Sequence, residues 1–194
     1  MYAVTDLIRL DATALRVLAH PLRSRLLAQL RLHGPATATD LAEVLDTNSG
    51  ATSYHLRKLE SVGLVTDTGT GAGKRRVWEA SSRGHEWQPS DFTGDEDAEA
   101  SLSWLSRYYH DSLAERVHGW AEASPAWPAA WRDTLGSGDD AVTVTAEQAR
   151  QMWDDISDVI TRYRDAGSGD PAARRVRVWT HLLPLDLAPP QETP

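Results

Sequence analysis

The sequence predicts a mainly α chain with a small β part, divided into two modules. Three observations carry that expectation. Apolar residues recur at steps of three and four along most of the 194 residues, the spacing of one helix face. The period drops to two only in a few short runs rich in Val and Thr. Charge is divided unevenly, with +3 over residues 1–85 and −11 over residues 86–194, within a net charge of −8. The expected organisation is a front module over residues 1–80, a polar connector over 81–97 and a helix-rich α/β module over 98–194.

Composition narrows the class. Hydrophobic residues make up 41% and charged residues 25%, the balance of a globular chain. No run approaches the ~18 apolar residues of a membrane span, so no membrane partner is expected. The first residues, Met1 to Asp6, carry neither a basic segment nor an apolar one. Cysteine is absent, which removes disulfides, thiolate metal sites and cysteine nucleophiles together. These features point to a cytoplasmic protein.

The elements follow in order. Asp11 can cap a short helix carrying Leu15, Val17 and Leu18. Pro21 suits the first turn of the next helix, where its missing N–H costs nothing, and Leu22, Leu26, Leu27 and Leu30 form its buried stripe. His33-Gly34-Pro35 stops it. Thr37 to Asp40 has the capping-box form, and Leu41, Val44 and Leu45 give a third helix its apolar face. After Asp46-Thr47, Asn48 caps a fourth helix from Ser49 to Leu59. Its core side is Thr52, Leu56 and Leu59. Its other side, Ser49, Gly50, Ser53, Tyr54 and Arg57, is small, polar and able to hydrogen-bond. Residues 64–68 and 75–79 then read as a hairpin around a glycine-rich tip, with Lys74, Arg75 and Arg76 at its base.

Two short helices joined by a tight turn and followed by a basic hairpin make a winged helix-turn-helix. The run from His20-Pro21-Leu22-Arg23 through Tyr54-His55-Leu56-Arg57-Lys58-Leu59 to Gly63-Leu64-Val65 resembles the ArsR-type family of bacterial transcriptional regulators. The resemblance covers residues 11–80. It implies a DNA-binding repressor or activator, usually a homodimer on a palindromic operator.

The chemistry agrees. A helix that reads the major groove needs short side chains near base edges and longer ones reaching bases or phosphates. Ser49, Gly50 and Ser53 permit close approach, Tyr54 and Arg57 can reach further, and the N–H groups near Asn48 and Ser49 can face a phosphate. Lys74, Arg75 and Arg76 suit phosphate or the minor groove. Duplex DNA and a second copy of the chain are the expected partners. A lone basic hairpin would more often be a solvated surface; attached to this helix pair, it reads as DNA-binding.

In the back module a long helix is expected over 98–122, with Leu102, Leu105, Tyr109, Leu113, Val117 and Trp120 along one side. A face so broad needs another large surface, and the resemblance implies that a helix of a second subunit supplies it. Leu7, Ile8 and Leu10 add to that expected interface, being too apolar to lie free in water. Ser124-Pro125 opens a helix bearing Trp127 and Trp131; Thr145 to Gln148 is a capping box before a helix with Ala149, Met152, Trp153, Ile156, Val159, Ile160 and Tyr163 as its stripe. Residues 141–145 and 174–182 alternate like strands.

Six of the eight tryptophans fall in this module. Clustered aromatics line apolar pockets, but more often they simply pack a small core, which is the better reading for most of these. The effector expected, where there is one, is a small organic molecule among Trp104, Tyr108, Trp120, Trp127 and Trp131. Asp111, Glu115, His118 and Glu122 share a helix face that could bind zinc or nickel, but neighbouring Arg107 and Arg116 make ordinary ion pairing the better reading. No metal, cofactor or catalytic residue is expected. Two other readings remain: a protein-interaction module docking through the winged helix, and a metal-responsive regulator.

Overall fold

The computed structural model describes residues 5–73 and 75–188, without the side chains of Thr5 and Asp6. The chain divides into two compact units, Met1–Arg116 and Val117–Pro194.

In the first unit the order is β1 (Thr5–Arg9), α1 (Ala12–Leu18), α2 (Pro21–His33), β2 (Ala36–Thr37), α3 (Ala38–Val44), α4 (Ser49–Glu60), β3 (Val65–Asp67), β4 (Val77–Ala80), β5 (Ser82–Glu86), a 3-10 turn (Pro89–Phe92) and α5 (Glu96–Ala123), which crosses into the second unit. Local chemistry sets the starts. Asp11 accepts the Ala14 N–H at 2.7 Å to open α1. His20 Nδ1 accepts the Leu22 N–H at 3.1 Å to open α2, ahead of Pro21. Thr37 and Asp40 close both bonds of the capping box on α3. Gly34 and Gly63 end α2 and the α4 turn at φ of 87° and 72°, a conformation costly to side chains.

Burial follows the helical spacing. Leu15, Leu18, Leu26, Leu27, Leu30, Leu41, Leu45, Leu56 and Leu59 form one core with Leu64, Val65 and Trp78. Val44 is the exception at 64% exposed: it lies on α3's outer side, and Ala42 takes the inward position. β4 pairs antiparallel with both β2 and β3, so a three-stranded sheet carries the wing beside α3 and α4.

Within this unit two stretches differ from expectation. Residues 81–97, read as a polar connector, carry β5 and the 3-10 turn, and β5 pairs in parallel with β1. That pairing also redirects the N-terminal segment. Leu10 is buried in the chain's own core and Ile8 packs against it, while Leu7 stays 54% exposed. A backbone ladder and a local core thus take up residues expected to face a second copy. Phe92, Ala98 and Leu105 are buried in the same core, anchoring the start of α5.

In the second unit, the helix expected after Ser124 is broken by Pro128 into a 3-10 turn (Ser124–Ala126) and the short α6 (Ala129–Arg132). α7 (Ala146–Tyr163) begins at the capping box of Thr145 and Gln148. The strands expected at 141–145 and 174–182 are not formed; those residues carry no regular structure. Short alternating runs need a sheet neighbour and a face to bury, and none of the described residues of this unit is buried. The β content therefore lies in the first unit.

Candidate nucleic-acid interface

α3 and α4 are joined by a tight turn in which Asp46 takes a φ of 51° and the Thr47 N–H reaches the Ala42 carbonyl at 2.9 Å. The turn delivers Asn48 to the start of α4, where its Oδ1 accepts the Ala51 N–H at 2.8 Å. Gly50 sits beside that cap: a Cβ there would lie 3.3 Å from Asn48 Oδ1, so a larger residue would press on the capping amide and make it give by a few tenths of an ångström. Thr52, Leu56 and Leu59 bury the inner face. That burial fixes the outward direction of Ser49, Gly50, Ser53, Tyr54 and Arg57.

A polar cleft of about 480 Å³ runs between α4 and the wing. Five of the residues singled out in the sequence line it together: Ser49, Ser53, Arg57, Arg75 and Arg76. Thr37, Ala38 and Thr39 from the start of α3, and Trp78 from β4, complete the wall. Asn48, Gly50 and Tyr54 are exposed outside this lining. Lys74 lies outside the described residues.

The cations differ in what they already hold. The Arg57 side chain is exposed and its guanidinium forms no hydrogen bond or ion pair among the described residues. Arg76, by contrast, reaches Glu60 at 3.5 Å and Asp67 at 3.4 Å, and lies over the Trp78 ring. Arg75 is 3.8 Å from Asp40. Asp40 is held below the usual carboxylate range chiefly by its hydrogen bond from Thr37, so the contact with Arg75 is the weaker tie. The wing arginines were expected as open phosphate contacts; acids from α3, α4 and β3 partly offset them. The step of two from Arg76 to Trp78 was a strand-face signal for that stacking. Nothing local in the sequence pairs Glu60 with Arg76.

On α4 itself, His55 meets both the Tyr54 ring and the His20 ring, with centroids at 5.2 and 4.6 Å. Burial lowers the pKa of both histidines, and neighbouring Arg23 lowers them further. The residue that caps α2 therefore packs directly on the outward helix.

The aromatic residues expected around an effector fall in both units. Within the first, Trp104 and Tyr108 stack at 5.3 Å. Within the second, Trp127 meets Trp120 edge-on at 5.3 Å and Trp131 at 6.3 Å. No group of three or more His, Asp or Glu able to hold a metal ion is gathered among the described residues.

A family model described as a helix-turn-helix domain matches residues 18–68, from the end of α1 to just past β3. The chain is similar to the HTH-type transcriptional regulator NmtR of Mycobacterium tuberculosis (strain ATCC 25618 / H37Rv), with 43% identity over 67 residues. That match covers 34% of this chain and 53% of the relative, so the chain spans about half the length of the curated relative it matches. The matched helices are the ones that present Ser49, Ser53 and Arg57 to the cleft, and the wing strands follow directly: over residues 18–68 the N-terminal module matches a helix-turn-helix domain and is similar to an HTH-type transcriptional regulator.

Proposed function

We propose that this chain is a sequence-specific, DNA-binding transcriptional repressor that works in the cytoplasm, at the nucleoid, as a homodimer on a palindromic operator. One observation carries the reading: Arg57, without a partner among the described residues, shares a polar cleft with the serines of α4 and the arginines of the wing. An unpaired guanidinium can form the bidentate contact that distinguishes guanine, while wing cations track the backbone. The exposed part of α5 beyond Tyr109 supplies the subunit contact. The acidic back half keeps non-specific DNA contact confined to the front.

Footprinting on the DNA flanking the chain's own coding region tests this reading. A protected palindrome, bound with affinity that falls steeply with salt, is the expected result. Binding no tighter than to random duplex would leave protein docking as the better function for the same surface.

A ligand-responsive variant of this reading is favoured by the edge-to-face array of Trp120, Trp127 and Trp131 within the second unit. A small apolar molecule seated there would change tryptophan fluorescence and release DNA. Stoichiometric zinc or nickel in the purified protein, with metal-dependent release, would favour metal sensing instead.

A further inference from the structure

α5 is tied to the winged helix by a polar joint that the DNA-reading residues do not use. Arg31, in the last turn of α2, donates through Nε to the Ser82 carbonyl at 3.0 Å. Its Nη2 donates to Ser82 Oγ at 2.9 Å and to the Gly84 carbonyl at 3.0 Å. Its Nη1 lies 2.6 Å from His85 Nδ1. A guanidinium can only donate, so Nδ1 accepts and the ring proton sits on Nε2. Nε2 then donates to the Tyr109 hydroxyl on α5 at 2.8 Å. Burial, and secondarily the Arg31 charge, lowers the His85 pKa to about 3, which keeps the ring neutral and this proton order in place.

The joint is also stacked. Trp87 lies nearly parallel to Tyr109, at 6.2 Å and 12°, and stacks on His85 at 5.8 Å. Tyr109 is the last α5 residue to pack against the core, after Ala98, Leu102, Trp104 and Leu105. Beyond it no described residue of α5 is buried. Direction is therefore set at one end of a lever. At 1.5 Å per residue, a rotation about Tyr109 is carried along every later turn that a second subunit would grip.

We propose that Tyr109, acting through His85 and Arg31, is a positioning residue that fixes the angle of α5 on the winged helix, and with it the separation of the two α4 helices in a dimer. The proposal rests on the homodimer reading. Apolar packing alone would hold α5 against the domain; directional hydrogen bonds to a rigid fork add an angle to that contact.

The absence of cysteine permits a clean test on the full chain. Lys58→Cys places one spin label on the exposed side of each α4, and pulsed electron paramagnetic resonance reads the label-to-label distance in solution. Tyr109→Phe keeps the ring on Trp87 and deletes the hydroxyl. Ser82→Ala removes one acceptor of Arg31 without adding volume, and serves if the first variant does not fold. The expected result is a single narrow distance in the parent, with a distribution shifted or broadened about twofold in either folded variant. A dimer whose distribution is unchanged in the folded variants overturns the proposal alone. A chain that sediments only as a monomer removes the dimer reading, and the proposal with it.

Discussion

The guanidinium of Arg76 lies 5.5 Å above the Trp78 ring while its nitrogens reach Glu60 on α4 and Asp67 on β3. One wing arginine thus joins the outward helix, the first wing strand and the second. The contact makes the wing base a fixed cation rather than a mobile one, and DNA phosphate must compete with two carboxylates for it.

The competition gives signs to two substitutions. Arg76→Ala should weaken binding to all duplexes alike and reduce the salt slope by about 1. Glu60→Gln removes an acid from the same surface and should strengthen binding to random duplex by about two- to fivefold, the range of an exposed ion pair. Titrations of both variants at several salt concentrations read the two effects. Weaker non-specific binding by Glu60→Gln would mean that the pair positions Arg76 more than it opposes DNA.

Arg57 should behave differently. With no protein partner among the described residues to release, its substitution by alanine leaves folding nearly untouched. If it reads a base, Arg57→Ala costs about 1–3 kcal/mol on the selected duplex and relaxes preference at one position. Selection from a randomised pool, run in parallel on both proteins, gives the outcome directly. Uniform loss over all sequences would reassign Arg57 to the phosphate backbone.

Acid should destabilise the first unit through His85. Its pKa is about 3 in the folded chain and near 6.5 as an ordinary histidine, so between those values the unfolded chain binds the proton that the folded chain refuses. Stability from this group is complete above about pH 6.5 and is lost as pH falls, by up to ~1.4 kcal/mol per unit. His20 and His55, also lowered, act with the same sign. Urea unfolding at pH 7.5 and pH 5 should show the drop, and His85→Gln should flatten part of it. A His85→Gln chain with the parent's full pH dependence would place the effect elsewhere.

How much of this was legible in the sequence depended on whether the deciding contact was local. The caps at Asp11, Thr37, Asn48 and Thr145 each act over three residues, and each forms as read. The inner face of α4 was legible because Thr52, Leu56 and Leu59 follow one helical period. β1 was not, since its ladder partner lies more than seventy residues away in β5; Leu7, Ile8 and Leu10 show only that something must cover them. Arg31 likewise reads as an ordinary basic residue near a helix end, and only the fold brings Ser82, Gly84 and His85 to it. Residues 141–145 and 174–182 failed for the opposite reason: alternation is present, but the described residues of the second unit form no strand for them to pair with.

Subunit geometry provides the last prediction. Leu10 is taken up by the chain's own core, so a dimer must rest on α5 and the exposed side of β1, where Leu7 is 54% exposed. If two such chains pair about a two-fold axis on one face of B-DNA, their α4 helices stand about 34–36 Å apart, one helical turn. Inserting five base pairs between half-sites turns one of them to the far side of the duplex and should reduce affinity to that of a single half-site. Inserting ten restores the face but not the distance, and should recover little. Sedimentation of the full chain at micromolar concentration should give a dimer both free and on the duplex. A monomer in both states, or an affinity indifferent to the five-base-pair insertion, would mean that each winged helix binds on its own and that α5 serves some other contact.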